Sequence, residues 1–473
     1  MADRSRRRPS SPVVLTLALF LAVMTLGWIR VDDEKFWLDE TLTALVVRRP
    51  WDGLLSVLWD QESGMFGYYV VLWGWARLFA GDAALRMFSV LGGALCVVTT
   101  FWVARRCFDQ RVALVSSLLL IVNPFFLRYL DEARAYSWIM AIGAFVALAT
   151  DRLVERRRRR DAIIVGALIG VGTATQILFA LVAIALLVSV MSEPRLRPPI
   201  SLVLIAATAA IVTFLPVLPA MLQRTAALDW LTDQSLEVQA RQLIGLLGGR
   251  WLAPLLVVGL LVALLSARRA DTANPWVGIC VGVSVLAPLF AFFITAIKPI
   301  FLSRYLAGVL PYLVVVAAFG LVTGFDRLRN RFPPFERPVQ IAAVCGVMAL
   351  VALAHPWEDR SRGPGAGDAV DYVLTQLDPG EFVVLAHYAS EITHHLGYRP
   401  DIDPGAAPIT DVDRLAIPRR PLSSYADLLR SADRFYILYW DGLPTDIELA
   451  EILENRTVTP TARFGTTIVF TVS

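Results

Sequence analysis

The chain has 473 residues, of which 56% are hydrophobic and only 18% charged, with a mean hydropathy of +0.59. A soluble domain carries about a quarter charged residues, so this composition points to a membrane protein and excludes disordered, collagen-like and coiled-coil chains. The overall charge of +3 hides an uneven division: residues 356–473 hold 18 acids and 10 arginines, net −8, leaving net +11 on 1–355. No nucleic-acid partner follows from such a balance. Four cysteines, three of them inside apolar runs, supply neither a disulfide framework nor a CxxC metal site.

Residues 1–12 form a basic, cytoplasmic N-terminus. Apolar runs then follow at 13–31, 83–104, 111–127, 137–151, 161–175, 177–191, 200–219, 251–267, 275–297, 304–323 and 338–355. These are read as about eleven membrane spans in a domain covering 13–355. The first run is too long, and lacks the cleavage signature, for a signal peptide, so it is expected to be a retained span. Arginine clusters at 105–111, 156–160, 195–197, 268–269 and 327–331 all fall on the N-terminal side of the membrane under this count. By the positive-inside rule the C-terminus is then outside. Residues 41–80 mix Trp, Tyr and Leu with arginines and are read as interfacial helices.

Past the Gly363-Pro364-Gly365 linker, the pattern changes to a helix at 367–377 and strand-like runs at 382–385, 435–439 and 466–470, with another helical stretch at 445–454. This predicts a small extracytoplasmic α/β domain over 356–473.

The expected outer face collects the residues capable of chemistry. Asp39 and Glu40 close an acidic loop directly after the first span, in Phe36-Trp37-Leu38-Asp39-Glu40. Such a pair can bind a cation, or one member can take a proton from an attacking hydroxyl; a capping loop with polar residues is the plainer reading. A second cluster, Asp131-Glu132-Ala133-Arg134-Ala135-Tyr136, lies in a loop short enough to hold its charges at the membrane surface, where ordinary Arg and Tyr anchoring is the alternative. Only two of the 44 basic residues are lysine, Lys35 and Lys298, both on this face. Lys298 with Arg304 offers a cationic pair suited to a phosphate. Gly166, Gly170 and Gly172 suit close helix packing, there is no Walker-type loop, and His394-His395 lack a partner at metal spacing.

Taken in order, these segments resemble the GT-C-type, polyprenyl-phosphate-dependent membrane glycosyltransferases, in the protein-mannosyltransferase and aminoarabinose-transferase-like branch (glycosyltransferase family 39-like). Phe36 to Glu40 resembles the acidic motif after the first span, and Glu62-Ser63-Gly64-Met65-Phe66-Gly67-Tyr68-Tyr69 is similar to the segment ending in paired tyrosines. Asp131 to Tyr136 resembles the second loop motif, and Ser303-Arg304-Tyr305 with Pro311 the late Arg-Tyr…Pro pattern. The chain departs from the family in having Gly64-Met65-Phe66-Gly67 where His-Pro-Pro or Asn-Met-Gly is common, and Thr175-Gln176 where a His or Tyr often stands.

The resemblance implies a helical GT-C bundle in a bacterial plasma membrane and an inverting transfer of sugar from a polyprenyl-phosphate donor to an extracytoplasmic glycan, lipid or protein. It implies Asp39 as general base with Glu40 beside it. Asp131 and Glu132 would orient the acceptor or a divalent cation, the one cofactor left open. Arg134, Lys298, Arg304 and Tyr305 would hold the donor phosphate, and Glu62, Tyr68 and Tyr69 would line the site. Membrane lipids are the remaining expected partners. A lipid-linked oligosaccharide ligase or polymerase, a polytopic lipid or sugar transporter, and a non-catalytic scaffold are the rival readings. A transporter would place its charges or broken helices at mid-membrane, whereas here they gather at one boundary.

Overall fold

The computed structural model describes residues 12–31, 36–60, 63–223, 235–267, 274–297, 301–331, 366–376, 382–385, 433–440, 456–464 and 467–473. In chain order the helices are α1 (Pro12–Arg30), α2 (Leu38–Val47), α3 (Trp51–Asp60), α4 (Phe66–Leu78), α5 (Asp82–Cys107), α6 (Gln110–Ile121), α7 (Pro124–Leu130) and α8 (Tyr136–Arg156). They continue with α9 (Arg159–Thr175), α10 (Phe179–Ser192), α11 (Ile200–Phe214), α12 (Leu218–Gln223), α13 (Leu236–Leu246), α14 (Gly249–Ala267), α15 (Pro275–Thr295) and α16 (Leu310–Arg331). Helix α17 (Ala366–Gln376) and strands β1 (Phe382–Leu385), β2 (Phe435–Trp440), β3 (Val458–Phe464) and β4 (Thr467–Val472) follow. The chain divides into two compact units, Met1–Val31 with Leu58–Glu358, and Asp32–Val57 with Asp359–Ser473.

In the first unit every expected span from 13–31 through 304–323 coincides with helix, and the one at 338–355 lies outside the described residues. Six helices among the described residues are long and apolar enough to cross a bilayer, or seven if the bent pair α6–α7 is one span. Helices α9, α10 and α11, with 17, 14 and 15 residues, reach only roughly 21–26 Å at 1.5 Å per residue. The structure revises the expected span at 111–127. Asn123 accepts hydrogen bonds from the backbone N–H groups of Phe125 (2.8 Å) and Phe126 (3.4 Å), and Pro124 occupies the first helical position. This starts a new helix at a 64° bend. The run 161–191, by contrast, is two helices as its Gly-Thr-Ala-Thr-Gln break suggests, with Gln176 between them.

Helices α5, α8 and α16 are mostly enclosed by others, whereas α1 leaves Val13, Trp28 and Ile29 exposed, as a lipid-facing helix does. In hydrocarbon, helices gain little from burying apolar area against one another, so close backbone approach carries the packing. The glycines serve that purpose. A Cβ on Gly170 would stand 2.6 Å from the carbonyl oxygen of Ala210, and one on Gly166 would run into that of Ala206, so α9 and α11 meet backbone to backbone. Gly320 of α16 abuts the Gly259 carbonyl of α14 in the same way.

In the second unit the sheet order is β1-β2-β4-β3, with β1 parallel to β2 and the other pairs antiparallel. Pro460 lies on the edge strand β3, beside an irregularity at Pro460/Ala462, where a missing backbone donor does least harm. Helix α17 packs on β2, β3 and β4, and the Tyr436 hydroxyl donates to the carbonyl of Gln376 at the helix end (3.1 Å). The expected 367–377 helix and the three strand-like runs are therefore present, with β3 an addition. The stretch at 445–454 and the His394-His395 pair lie outside the described residues.

Candidate active site

The loop between α7 and α8 is the polar centre of the first unit. Its local folding explains its shape. Helix α7 ends at Leu130, and the backbone N–H of Arg134 turns back onto the carbonyl of Glu132 at 2.6 Å. The Ser137 hydroxyl donates to the carbonyl of Tyr129, and the Ser89 hydroxyl of α5 donates to that of Arg134 at 3.2 Å. Every residue from Tyr129 to Ser137 is buried. At the expected membrane boundary the loop is enclosed by protein: Asp131 and Glu132 are 2% and 1% exposed. Helices α1, α5 and α8 cover a loop that hydropathy alone places at a boundary.

Buried charges need partners, since desolvation costs several kcal/mol per ion. Arg30, in the last turn of α1, donates through Nε to Asp131 Oδ2 at 2.9 Å and through Nη2 to the carbonyl of Leu127 at 3.4 Å. Arg86, buried in the first turns of α5, donates to the carbonyl of Val31 at 2.7 Å and so fixes the outgoing end of α1. Arg134 Nη1 donates to the Tyr69 hydroxyl at 3.0 Å. Tyr69 stands edge-on to Tyr68 (5.7 Å), and the chain of rings continues through Phe88 to Trp138. A Cβ on Gly67 would meet the backbone of Ala174 at 3.2 Å, so this glycine lets α4 seat against α9 and brings the tyrosine pair to the loop.

Arg304 enters from the turn before α16. Its guanidinium lies over the rings of Tyr136 (5.8 Å) and Tyr305 (5.7 Å), and Gln242 of α13 anchors the turn by accepting from the Ser303 backbone N–H (3.1 Å) and hydroxyl (2.7 Å). Arg304 and Tyr305 are both half-buried, so this cation keeps access to solvent or ligand. Of the expected residues, Asp131, Arg134, Tyr68, Tyr69, Arg304 and Tyr305 are therefore linked through Tyr136 and the loop. Glu132 shares the loop.

Arg30, Arg86 and Gln242 are additions that motif reading missed. Two had a signal: Arg30 ends an apolar run and Arg86 begins one, and a charge within a membrane helix is a functional hint. Glu62 and Lys298 lie outside the described residues.

Asp39 and Glu40 belong to the second unit, in the first turn of α2, where the helix N-terminus favours negative charge. Glu40 is fully buried and Asp39 half-buried. The Thr43 hydroxyl donates to the Asp39 carbonyl at 2.9 Å, bonding back onto the helix and leaving the carboxylate out of that contact. Among the described residues no group of three or more His, Cys, Asp or Glu side chains is placed to hold a metal ion.

Compared with curated protein sequences, the chain shows no match. Residues 65–220 match the dolichyl-phosphate-mannose-protein mannosyltransferase family model. Among solved structures, ArnT from Cupriavidus metallidurans bound to undecaprenyl phosphate aligns with a TM-score of 0.58 at 14% identity, covering 97% of both chains. Its apo state aligns equally, over 98% of both. The Archaeoglobus fulgidus oligosaccharyltransferase in the apo form aligns at 0.52 and 11% identity, over 90% of this chain and 69% of that one.

The fold is that of the GT-C glycosyltransferases.

A multi-span membrane bundle with a small C-terminal α/β element is accordingly the architecture, as the motifs imply. The segment that matches the family model runs from the end of the Gly64-Met65 turn into α12. It contains the tyrosine pair and the whole Asp131–Tyr136 loop, while Asp39, Glu40 and Arg304 lie outside it.

Proposed function

We propose that the chain transfers a sugar from a polyprenyl-phosphate donor to an acceptor hydroxyl outside the cytoplasm, with inversion at the anomeric carbon. One observation carries the reading: the buried Asp131–Tyr136 loop, whose Asp131 and Arg134 lie with Tyr69 in the segment that matches the mannosyltransferase family, is held by Arg30 and Tyr69 and has the half-buried Arg304 over Tyr136. The undecaprenyl phosphate bound in the ArnT structure, which shares this fold, supports a polyprenyl carrier.

In this reading the acceptor oxygen attacks the anomeric carbon while the bond from that carbon to the phosphate oxygen breaks. Asp39 takes the hydroxyl proton, and Glu40 sets its surroundings. The leaving polyprenyl phosphate needs charge stabilisation rather than a proton, because its second pKa is about 6. Arg304, Arg134 and Tyr305 supply that, together with Lys298 from the sequence motif. Asp131, already engaged by Arg30, serves as a fixed orienting charge for the loop rather than as the base, and Glu132 beside it orients the acceptor. Tyr68, Tyr69 and Glu62 line the sugar site. The arginine distribution supports a cytoplasmic N-terminus and an extracytoplasmic position for residues 356–473.

The test is to incubate the purified chain with several polyprenyl-phosphate sugars and follow candidate acceptors by mass spectrometry. A general base contributes ~10²–10⁴ in rate. Asp39→Asn, which keeps shape but cannot take a proton, is expected to lose that much turnover at equal abundance, while Asp33→Asn retains it. Retained turnover in Asp39→Asn removes this residue from the role.

A further inference from the structure

Helix α8 ends and α9 begins in an unbroken run, Arg156 to Arg160, at the end of the bundle remote from Arg30 and Asp131, and all five are exposed. The tertiary structure adds two more. Helices α9 and α11 lie side by side and parallel, with Gly166 against Ala206 and Ala209, and Gly170 against Ala210 and Thr213. Leu202 packs with Leu153 and Ala162 in the same register. Followed back along both helices, this register sets Ile200, the first residue of α11, level with Arg159 and Arg160, and the exposed Arg195 and Arg197 lie in the short connection just before it.

Four nearby acids, Asp151, Glu155, Asp161 and Glu193, offset this charge only in part. Arg106 takes Asp151 (2.6 Å) and Glu155 (2.7 Å) from the side of α5. Asp161 is buried beneath the turn, and Glu193 accepts the backbone N–H of Arg195 at 3.3 Å. Among the described residues, none of Arg156 to Arg160 makes an ion pair. Directly below the arginines, Ile163 and Ile164 of α9 and Ile200 and Leu204 of α11 are exposed.

We propose that this surface binds an anionic phospholipid: the seven arginines hold the headgroup phosphate, and the exposed isoleucines and leucine of α9 and α11 take the first methylenes of its acyl chains. The guanidinium fork matches phosphate oxygens in paired hydrogen bonds. The continuity of the arginines with an apolar helix face selects a lipid over a soluble phosphate or an acidic protein segment. This surface is separate from the proposed donor site and does not depend on the activity assigned above.

The experiment is native mass spectrometry of the purified full chain, titrated with phosphatidylglycerol and phosphatidylcholine of identical acyl chains. Wild type should retain phosphatidylglycerol preferentially, and the preference should fall as salt rises. Each arginine is worth about fivefold, so Arg195→Gln with Arg197→Gln should reduce the preference about tenfold or more and leave phosphatidylcholine retention unchanged. Arg156→Gln with Arg158→Gln and Arg160→Gln should reduce it further. Equal retention of the two lipids by wild type would overturn the proposal. So would an equal loss on Arg327→Gln with Arg329→Gln, or displacement of the lipid by an equal concentration of glycerol phosphate. If the triple variant does not fold, the wild-type titration and the double variant still decide.

Discussion

The two ends of the helical bundle use the same chemistry in opposite settings. At one end Arg30 and Asp131 form an ion pair 2.9 Å long, with side chains 7% and 3% exposed. At the other, Arg111 grips Asp326 through two bonds of 2.9 and 2.8 Å, with the pair 59% and 33% exposed. The second pair has the better hydrogen-bond geometry and the smaller expected consequence. Exposed pairs are screened by solvent and lose side-chain entropy on forming, whereas breaking a buried pair strands a desolvated charge. The contrast shows that burial, rather than the count of bonds, marks the end at which charge is kept for a purpose.

The sharpest way to break this comparison is Arg30→Met. It leaves the Asp131 carboxylate buried without its cation and is expected to cost about 3–5 kcal/mol, read as a lowered denaturation midpoint in detergent. Arg30→Met with Asp131→Asn should recover much of the loss, because no charge is then stranded. If the single variant is as stable as wild type, the pair is not desolvated as described.

Arg304→Ala tests the ligand-accessible cation at the same end. Loss of a charge-assisted contact to phosphate should weaken donor use by roughly 1.5–3 kcal/mol, about one to two orders of magnitude, with the folded fraction unchanged. Donor titrations that overlay those of wild type would take Arg304 out of the phosphate site.

Tyr69→Phe removes one hydrogen bond to Arg134 while keeping the ring against Tyr68. The expected cost is about 0.5–1.5 kcal/mol, measured by the same unfolding assay. A larger loss would mean that the tyrosine hydroxyl holds more of the loop than Arg134. Smallest of all, Arg111→Gln at the opposite end should change stability by under about 1 kcal/mol. An effect matching that of Arg30→Met would remove the distinction between the ends.

Much of this molecule can be read along the chain. The apolar runs fall on the helices, and the Gly172–Gln176 break separates α9 from α10 as its composition suggests. The 367–377 helix and the 382–385 and 435–439 strands are present because a small α/β element shows the local periodicities of 3.6 and 2. The bend at Asn123-Pro124 was encoded in a cap and a proline, but the apolar run around it masked that signal.

The site was less legible. Asp131, Arg134, Tyr69 and Arg304 stand out by residue type and by motif, yet no local rule places Gln242 under Ser303 or Gly67 against Ala174. The length and charge of the loop at 129–137 read as a place at the membrane boundary, and they carry no sign that other helices enclose it. Its burial comes from α1 and α5, distant in sequence, together with the adjoining α8.

The sequence by itself determined the membrane class, the positions of the helices, the basic-body and acidic-tail division and the order of motifs that carries the GT-C resemblance. Each of these follows from hydropathy, charge or residue order along the chain, without knowing which helices become neighbours. Tertiary packing alone pairs Arg30 with Asp131 across 101 residues and Arg134 with Tyr69 across 65, and seats α11 beside α9. Such pairings depend on which helices become neighbours. That choice is made by glycine contacts and side-chain fit summed over the whole bundle, and no single stretch of chain contains it.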